Sequence, residues 1–260
     1  MADTARIIAF GDLHAPLTHA PYFDWLLGQI EDFRPHYVVN VGDWFEALAA
    51  KRWARYPDEK WTAQDEVQAV VAQAAAINAV APDARKVWLY GNHDDNLFGC
   101  HPDRIPVDLR EIVNWRMMRG TEALESWEEK TTYTHGFRFR LGPVTFQHGC
   151  DVSKDGLRAM FGSAILYSSQ NGLLVQGHSH KPVHPQECEI RSLPTRFWVA
   201  NAGCGCEWDR MHYMDRFQKA KWGRGCLLIE TSASACKVGN TAFARKAWDA
   251  ELRIHSLARG

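Results

Sequence analysis

Short apolar runs alternate with helical patterns at the start of this chain, and this alternation limits the fold more than any other feature. Three runs predict buried strands: RIIAF (6–10), YVVNV (37–41) and KVWLY (86–90). Helical spacing covers 21–33 and 62–81, and Thr62 suits the N-cap of the second helix. Strands that alternate with helices indicate an α/β fold, in which helices cover the faces of a sheet.

Short strands dominate the second half of the chain. Six are predicted from residue 132 onward: FRFRL (137–141), PVTFQ (143–147), GLLVQ (172–176), ECEIR (187–191), RFWVAN (196–201) and CLLIET (226–231). Their close succession favours antiparallel hairpins. We expect a polar helix at 153–170, a surface helix over 240–257 and a helical insertion at 96–128 that forms either a cap or a structural hairpin. No repeat or linker divides the chain, so one domain spanning 1–260 is expected.

Composition argues against several classes of function. The 30 basic and 31 acidic side chains leave a net charge of −1, so binding to nucleic acid or anionic membrane must be local. The first residues lack the pattern of a secretory signal, and no apolar run approaches the roughly 20 residues of a membrane helix. A soluble cytoplasmic protein is expected, with its seven cysteines as buried or idle thiols. Cys204 and Cys206 are too close in sequence for a CxxC zinc or redox site.

Polar side chains follow five predicted strands at the point where each strand ends. The strand-end sequences are GDLH (11–14), GDWFE (42–46), GNHDD (91–95), HG (148–149) and GHSH (177–180). Each one alone is explained by a turn or a helix cap, because Asp readily bonds nearby backbone amides. Ligands gather beyond the carboxyl ends of strands in open α/β sheets, so the five loops are expected to meet. Their joint occurrence, always at a strand end, favours a metal site.

In chain order these motifs read D-x-H, G-D, G-N-H-D, a lone histidine and G-H-x-H, from residue 11 to residue 180. The pattern resembles that of the calcineurin-like metallophosphoesterase superfamily. The resemblance implies an α/β four-layer α-β-β-α sandwich with two mixed sheets face to face and a dinuclear metal site at the strand ends. It assigns one ion to Asp12, His14, Asp43 and His180, and the other to Asp43, Asn92, His148 and His178. Asp43 would therefore bridge both ions.

The chemistry of these ligands narrows the choice of metal. Carboxylate, amide and imidazole donors without thiolate favour Mn, Fe or Zn, and the abundance of histidine argues against Mg or Ca alone. Two such ions about 3.5–4 Å apart can lower the pKa of a bridging water and clamp the attacking and leaving oxygens of a displacement. We expect two divalent ions, with Mn favoured and Fe, Zn or Ni as alternatives.

His93 follows the predicted ligand Asn92 in the GNHDD loop. Similarity to the superfamily implies that His93 protonates the leaving oxygen or stabilises charge on the phosphoryl group. Asp94 or Glu46 could orient it, and Glu46 is preferred because it stands where protein phosphatases of the superfamily carry an aspartate paired with the catalytic histidine. The alternative for Glu46 is an ordinary solvated glutamate.

The second motif departs from the GD-x-x-DRG of Ser/Thr protein phosphatases and their phage-type cousins, because Ala47 replaces the phosphate-binding arginine. Trp44, Phe45 and Ala47 would suit the apolar substituent of a diester, and the GHSH ending resembles phosphodiesterases and repair nucleases. Residues 199–208 and KWGRGCLLIE (221–230) resemble small phage- and prophage-encoded members. A phosphodiesterase, including a nuclease, is therefore preferred. A phosphomonoesterase acting on a nucleotide, polyphosphate or phosphoprotein is the alternative, and a non-catalytic metal-binding scaffold is less favoured.

The segment KRWARYPDEKW (51–61) follows the second motif and is expected to flank the site. Trp53 suits stacking on a base, and Arg52 and Arg55 suit contacts with phosphates, as on surfaces that bind single strands. An ordinary surface segment, with its tryptophan packed on the body, explains the same residues. The expected partner is a phosphoester, such as a nucleotide or single-stranded nucleic acid, and no membrane; the oligomeric state is left open.

Overall fold

The computed structural model describes residues 5–48, 59–98, 122–130, 138–149, 172–189, 196–212, 216–231, 236–243 and 252–254. The strands are β1 (Ala5–Phe10), β2 (Tyr37–Asn40), β3 (Arg85–Leu89), β4 (Trp127–Lys130), β5 (Phe139–Leu141), β6 (Val144–Gln147), β7 (Gly172–Gln176), β8 (Val183–Glu189), β9 (Arg196–Asn201), β10 (Arg224–Thr231), β11 (Cys236–Phe243) and β12 (Leu252–Ile254). The helices are α1 (Ala20–Phe33), α2 (Ala63–Val80), α3 (Asn92–Phe98), α4 (Glu122–Glu125) and α5 (Arg216–Lys219), and a 3₁₀ turn covers Trp208–Arg210. Within these ranges, no helix has the length and apolar character needed to cross a membrane.

Two mixed sheets form the centre of the fold. The first has the strand order β12-β11-β10-β1-β2-β3-β4, and the second has the order β5-β6-β7-β9-β8. Strands β1 to β4 run parallel, and so do β6, β7 and β9. The remaining pairs are antiparallel. The two mixed sheets expected from the sequence are therefore present, and both contain a parallel centre whose strands end in the same direction.

Alternation along the strands places the two cores on opposite faces of the first sheet. On β1, Ile8 and Phe10 pack in the core that contains α1 and α2, whereas Ile7 and Ala9 pack in the core shared with the second sheet. This is the period of two that successive strand side chains follow. The described residues thus form three layers, which are the helices α1 and α2 and the two sheets. A helix was also predicted at 153–170, but those residues are not among the described ones.

Helices α1 and α2 agree with their predicted positions. The Thr62 side chain caps α2 by accepting from the backbone N–H of Asp65, whose carboxylate accepts from the Thr62 N–H. Val70, Ala74 and Ile77 are buried at helical spacing and face the sheet. The apolar stripe and the cap are both local features, which explains why the sequence located this helix closely.

One expectation for the second half of the chain was wrong. The surface helix over 240–257 does not form in the described part of that segment, because β11 pairs with the full length of β10 and β12 pairs with β11. Pairing with a long sheet edge here outweighs local helical preference. The expected antiparallel pairs occur at β5–β6, β8–β9 and β10–β11, and β6, β7 and β9 form the parallel part of the second mixed sheet. Of the predicted insertion at 96–128, residues 99–121 lie outside the described residues, and β4 begins at Trp127.

Candidate metal centre

The loops that follow β1, β2, β3, β6 and β7 meet at one edge of the paired sheets. The backbone N–H of His178 donates to both carboxylate oxygens of Asp12 at 3.0 Å, which joins the second sheet to the first. The Nδ1 of His148 donates to the Val41 carbonyl at 2.8 Å and makes a second such link. Five strand ends that are distant in sequence therefore form one site.

The first group of possible metal donors comprises Asp12, His14 and His180, whose donor atoms lie within 4.8 Å of one another. The Nε2 atoms of His14 and His180 are 3.1 Å apart, and the Nε2 of His180 is 3.2 Å from Asp12 Oδ1. All three side chains are buried. These residues are those that the superfamily pattern assigns to one ion, together with Asp43.

The second group comprises Asp43, His148 and His178. The Nε2 of His148 is 3.2 Å from Asp43 Oδ2 and 3.3 Å from the Nδ1 of His178. Asn92 joins this group, because its Oδ1 lies 2.8 Å from the Nδ1 of His178. Asp43 also faces the first group, with Oδ2 at 3.8 Å from the Nε2 of His14. One carboxylate therefore stands between the two sets of donors.

The separations of the donor atoms fit shared metal ions. Two ligands that each bind an ion at about 2.0–2.1 Å stand roughly 3–3.4 Å apart, which is the spacing between His14 and His180 at 3.1 Å. The opposite nitrogens of two ligand histidines are already occupied: His14 Nδ1 bonds Glu46 Oε2 at 2.8 Å, and His148 Nδ1 bonds the Val41 carbonyl. Such contacts fix the ring that presents the ligand nitrogen. The donor set thus suits divalent first-row metals without selecting one of them.

The backbone at the site is held in an uncommon conformation. Five of the predicted ligands have positive φ angles: Asp12 (52°), His14 (49°), Asp43 (52°), His178 (68°) and His180 (58°). A residue other than glycine pays of order 1–3 kcal/mol for this region, and such residues cluster at functional sites. The surrounding contacts must stabilise this geometry, and no signal in the sequence indicated it.

Glycines before the ligands allow the loops to approach one another. Gly42 has a φ of +112°, and a Cβ added there would overlap the Nδ1 of His148. A Cβ on Gly91 would overlap the Oδ1 of Asp43. The requirement for glycine at position 91 is therefore steric, because the Asp43 carboxylate occupies the space of a side chain.

We expect Gly91→Ala to lose most of its bound metal, because the new methyl group must displace the Asp43 carboxylate. Elemental analysis of the purified variant gives the metal content per chain, and circular dichroism reports whether the fold is retained. Gly28→Ala is the matched control, because a Cβ there has no neighbour within 4 Å and glycine inside a helix is unfavourable. Metal content equal to that of the wild type in Gly91→Ala would contradict this account of the site.

Charge at the site favours cation binding. Burial lowers the pKa of His148, but the Asp43 carboxylate, together with Asp12 and the Val41 carbonyl, raises that pKa to about 9. Burial and Asp12 act in the same opposed way on His180, and the pKa is again about 9. The carboxylates thus hold protons on these two imidazoles in the absence of an ion, whereas burial lowers the pKa of His14 and that of His178. A divalent metal ion would displace these protons and balance the charge of the carboxylates in their place.

His93 lies at the edge of the site with 17% of its side chain exposed. Its backbone N–H donates to Asp43 Oδ1 at 2.8 Å, and its Nδ1 donates to the backbone carbonyl of Glu46 at 2.7 Å. Since the carbonyl fixes the proton on Nδ1, Nε2 is the atom that can exchange a proton with a substrate. A donor atom of His93 also lies within 4.8 Å of donors from His14 and Asp43, so a role as ligand has to be distinguished from a role as acid.

Glu46 is buried, so the solvated alternative was wrong. Its carboxylate accepts from the Nδ1 of His14 at 2.8 Å, whereas Nδ1 of His93 lies 3.6 Å away. Glu46 therefore contacts His93 chiefly through its carbonyl and orients the predicted ligand His14 through its side chain. Asp94 differs from its predicted role, because its carboxylate accepts from the backbone N–H groups of Phe45 and Gly91. It joins two loops of the site.

Other predicted residues have a different setting from the one expected. Trp44 and Phe45 are buried in the core beside α1 and α2, so they do not present an apolar surface to a substrate. Ala47 is also buried, and its N–H donates to Glu66. Arg52, Trp53 and Arg55 lie outside the described residues.

Two neighbours of the site were missed by the sequence analysis. Glu66 accepts from the backbone N–H groups of Ala47 and Leu48 at 2.7 and 2.8 Å, and so holds the chain that leaves the second motif. The ring of Trp222 contacts that of His180, with centroids 4.1 Å apart. A tryptophan-glycine step at 222–223 was visible in the sequence, but its proximity to His180 depends on the tertiary fold.

Comparisons with known proteins add independent information. Among solved structures, wild-type Vps29 from Entamoeba histolytica in complex with Zn²⁺ is similar at 12% identity and a TM-score of 0.47, covering 93% of this chain and 94% of that one. YfcE, a phosphoesterase from E. coli, is similar at 13% identity and a TM-score of 0.44, covering 96% and 97%. A search of curated proteins found no match. Residues 5–182, more than half of the chain, match the model of the calcineurin-like phosphoesterases, and the chain belongs to that family.

Proposed function

We propose that this protein is a metal-dependent hydrolase of phosphoester bonds that acts at a dinuclear centre. The observation that carries this proposal is the position of Asp43, between a donor group containing His14 and a donor group containing His148. Beside that carboxylate stands His93, which is partly exposed and oriented by a backbone carbonyl. Membership of the family supports the same reaction class.

Different side chains are proposed to bind the metal ions and to transfer the proton. Asp12, His14, Asp43 and His180 would hold one ion, and Asp43, Asn92, His148 and His178 would hold the other. When bound, such ions activate a water molecule and neutralise negative charge on the phosphoryl group. Mn is our preferred metal, with Fe, Zn and Ni as alternatives, because the donors are imidazole, carboxylate and amide groups.

His93 is proposed to protonate the leaving oxygen. For this role both ring nitrogens must carry protons, and Nδ1 already donates to the Glu46 carbonyl. The Glu46 carboxylate, 3.6 Å from Nδ1, would stabilise the positive ring. The proton on Nε2 can then pass to the leaving group as the phosphorus–oxygen bond breaks.

We propose that phosphodiesters are the preferred substrates. A monoester carries up to two negative charges, and sites specialised for it tend to supply a forked arginine in addition to the metals. Position 47, where related protein phosphatases carry that arginine, holds a buried alanine whose N–H is bonded to Glu66. The preference for diesters rests on the absence of an arginine at position 47. Trp44 and Phe45 do not support it, because both are buried in the core.

The test compares bis-nitrophenyl phosphate with nitrophenyl phosphate after chelation and reconstitution with Mn, Ni, Zn or Mg. We expect no turnover of either substrate by chelated protein and recovery when a divalent ion is restored. The ratio of kcat/KM for the diester over the monoester, corrected for intrinsic reactivity, should exceed one. Single-stranded DNA serves as the natural diester.

Different outcomes separate the parts of this proposal. A ratio well below one, together with intact DNA and cyclic nucleotides, would favour the phosphomonoesterase alternative. Turnover that survives thorough chelation would contradict metal dependence. Binding of metal without turnover of any phosphoester would favour a scaffold that has no hydrolytic function.

A further inference from the structure

A pair of cysteines lies beside the metal centre and is not used by the proposed reaction. Donor atoms of Cys204, Cys206 and His180 lie within 4.8 Å of one another, and all three side chains are buried. The Sγ of Cys204 also lies 3.6 Å from the Gly223 carbonyl oxygen, and both cysteines are reduced. Two sulfurs and an imidazole within such a distance are a common donor set for a metal ion.

The extended backbone explains how a spacing of two residues brings both thiols together. Cys204 forms a parallel bridge with Arg224, and Cys206 forms an antiparallel bridge with Thr18. In extended chain, residues i and i+2 face the same side, so both sulfurs are directed to the same side of the segment. In a CxxC motif a turn brings the two thiols together, whereas here the bridges to Arg224 and Thr18 do so, and the spacing of two residues therefore does not exclude a metal site.

The segment is held firmly in this position. Gly203 has a φ of +83°, and a Cβ on Gly205 would overlap the side chain of Leu13. The backbone N–H of Gly205 donates to the carbonyl of Asp12 at 3.0 Å, and that of Cys204 donates to the Gly223 carbonyl at 2.9 Å. The thiols are therefore preorganised beside the centre.

The two ring nitrogens of His180 differ in their surroundings. Its Nε2 faces Asp12 and His14, whereas its Nδ1 is buried without a hydrogen-bond partner among the described residues. Histidines that bind metals almost always use the second nitrogen as well, as His14 and His148 do here. This nitrogen is therefore available to bind an ion, and it belongs to a residue grouped with two thiols.

We propose that Cys204, Cys206 and His180 form a separate binding site for a thiophilic metal ion, such as Zn²⁺. Typical metal–sulfur and metal–nitrogen bonds of about 2.3 Å and 2.0–2.1 Å place such donors roughly 3.5–3.8 Å apart, which is within the 4.8 Å that contains the donor atoms of this cluster. Binding releases the thiol protons. Thiolates select softer ions than the carboxylate- and imidazole-rich centre does, and His180 connects the two sites.

Cobalt provides a direct test, because Co²⁺ bound to thiolate shows a charge-transfer band in the near ultraviolet. Chelated, reduced wild-type protein titrated with Co²⁺ should develop this band, and the double variant Cys204→Ala/Cys206→Ala should not. Cys226→Ala is the matched control, because Cys226 is also buried and reduced but does not belong to the cluster. Absence of the band in the wild type, or its persistence in the double variant, would overturn the proposal.

Two further measurements do not depend on hydrolysis, and the first of them, on the wild-type protein, does not depend on the folding of any variant. X-ray absorption of zinc-loaded wild-type protein should show sulfur neighbours at about 2.3 Å, and a spectrum with only nitrogen and oxygen neighbours would refute the site. Asp43→Ala should retain the cobalt band, because Asp43 is not in the thiol cluster. Loss of the band in that variant would show that the thiols do not form a separate site, whatever the outcome for phosphoester hydrolysis.

Discussion

Replacing Asp43 with alanine is expected to reduce phosphoester hydrolysis to the level of a blank without enzyme. The physical reason is that one carboxylate faces both donor groups, with Oδ2 at 3.2 Å from His148 and 3.8 Å from His14. Its Oδ1 also accepts from the backbone N–H of His93 at 2.8 Å, so the first turn of α3 loses an anchor as well. The variant should bind less metal at both groups, measured by elemental analysis beside kcat/KM for bis-nitrophenyl phosphate.

An exposed aspartate provides the control for this variant. Asp24 lies on the exposed surface of α1, and Asp24→Ala should retain wild-type metal content and activity. Circular dichroism and thermal unfolding must show that Asp43→Ala is folded before its activity is compared. Substantial turnover by a folded Asp43→Ala protein would rule out the proposed bridging role.

Replacing His93 with alanine should lower kcat about 10²- to 10⁴-fold, the usual contribution of a positioned acid–base group. Metal content should stay close to that of the wild type, since Nδ1 of His93 donates to a carbonyl and the predicted ligands remain in place. This combination separates a general acid from a ligand. A parallel loss of metal would instead assign His93 to the group it forms with His14 and Asp43.

The leaving group gives a second readout of the role of His93. Nitrophenolate departs without much protonation, so the loss in His93→Ala should be smaller for nitrophenyl esters than for esters of a poor leaving group such as an alkyl alcohol. His184→Ala serves as the control, because His184 is exposed on β8 and belongs to none of the groups of possible metal donors. Equal losses for good and poor leaving groups would argue against His93 as the acid.

The sequence by itself located those parts of the protein that local patterns encode. Strands β1, β2 and β3 and helices α1 and α2 follow from apolar periodicity, and Thr62 marked the start of α2 because a capping box involves neighbours along the chain. The seven candidate ligands were also visible, because each stands directly after a strand and parallel strands end at one edge of a sheet.

Only the tertiary structure decided which group each of these side chains contacts. Glu46 bonds His14, 32 residues away, and the rings of His14 and His180 meet across 166 residues. In the described part of 240–257, strand pairing with β10 and β11 takes the place of the predicted helix for a related reason, since the edge of a sheet is created by distant segments. The extended backbone that aligns Cys204 with Cys206 likewise depends on bridges to Arg224 and Thr18. Local sequence determines where a chain turns and which residues follow each strand, whereas contacts between such residues depend on how distant strands pack.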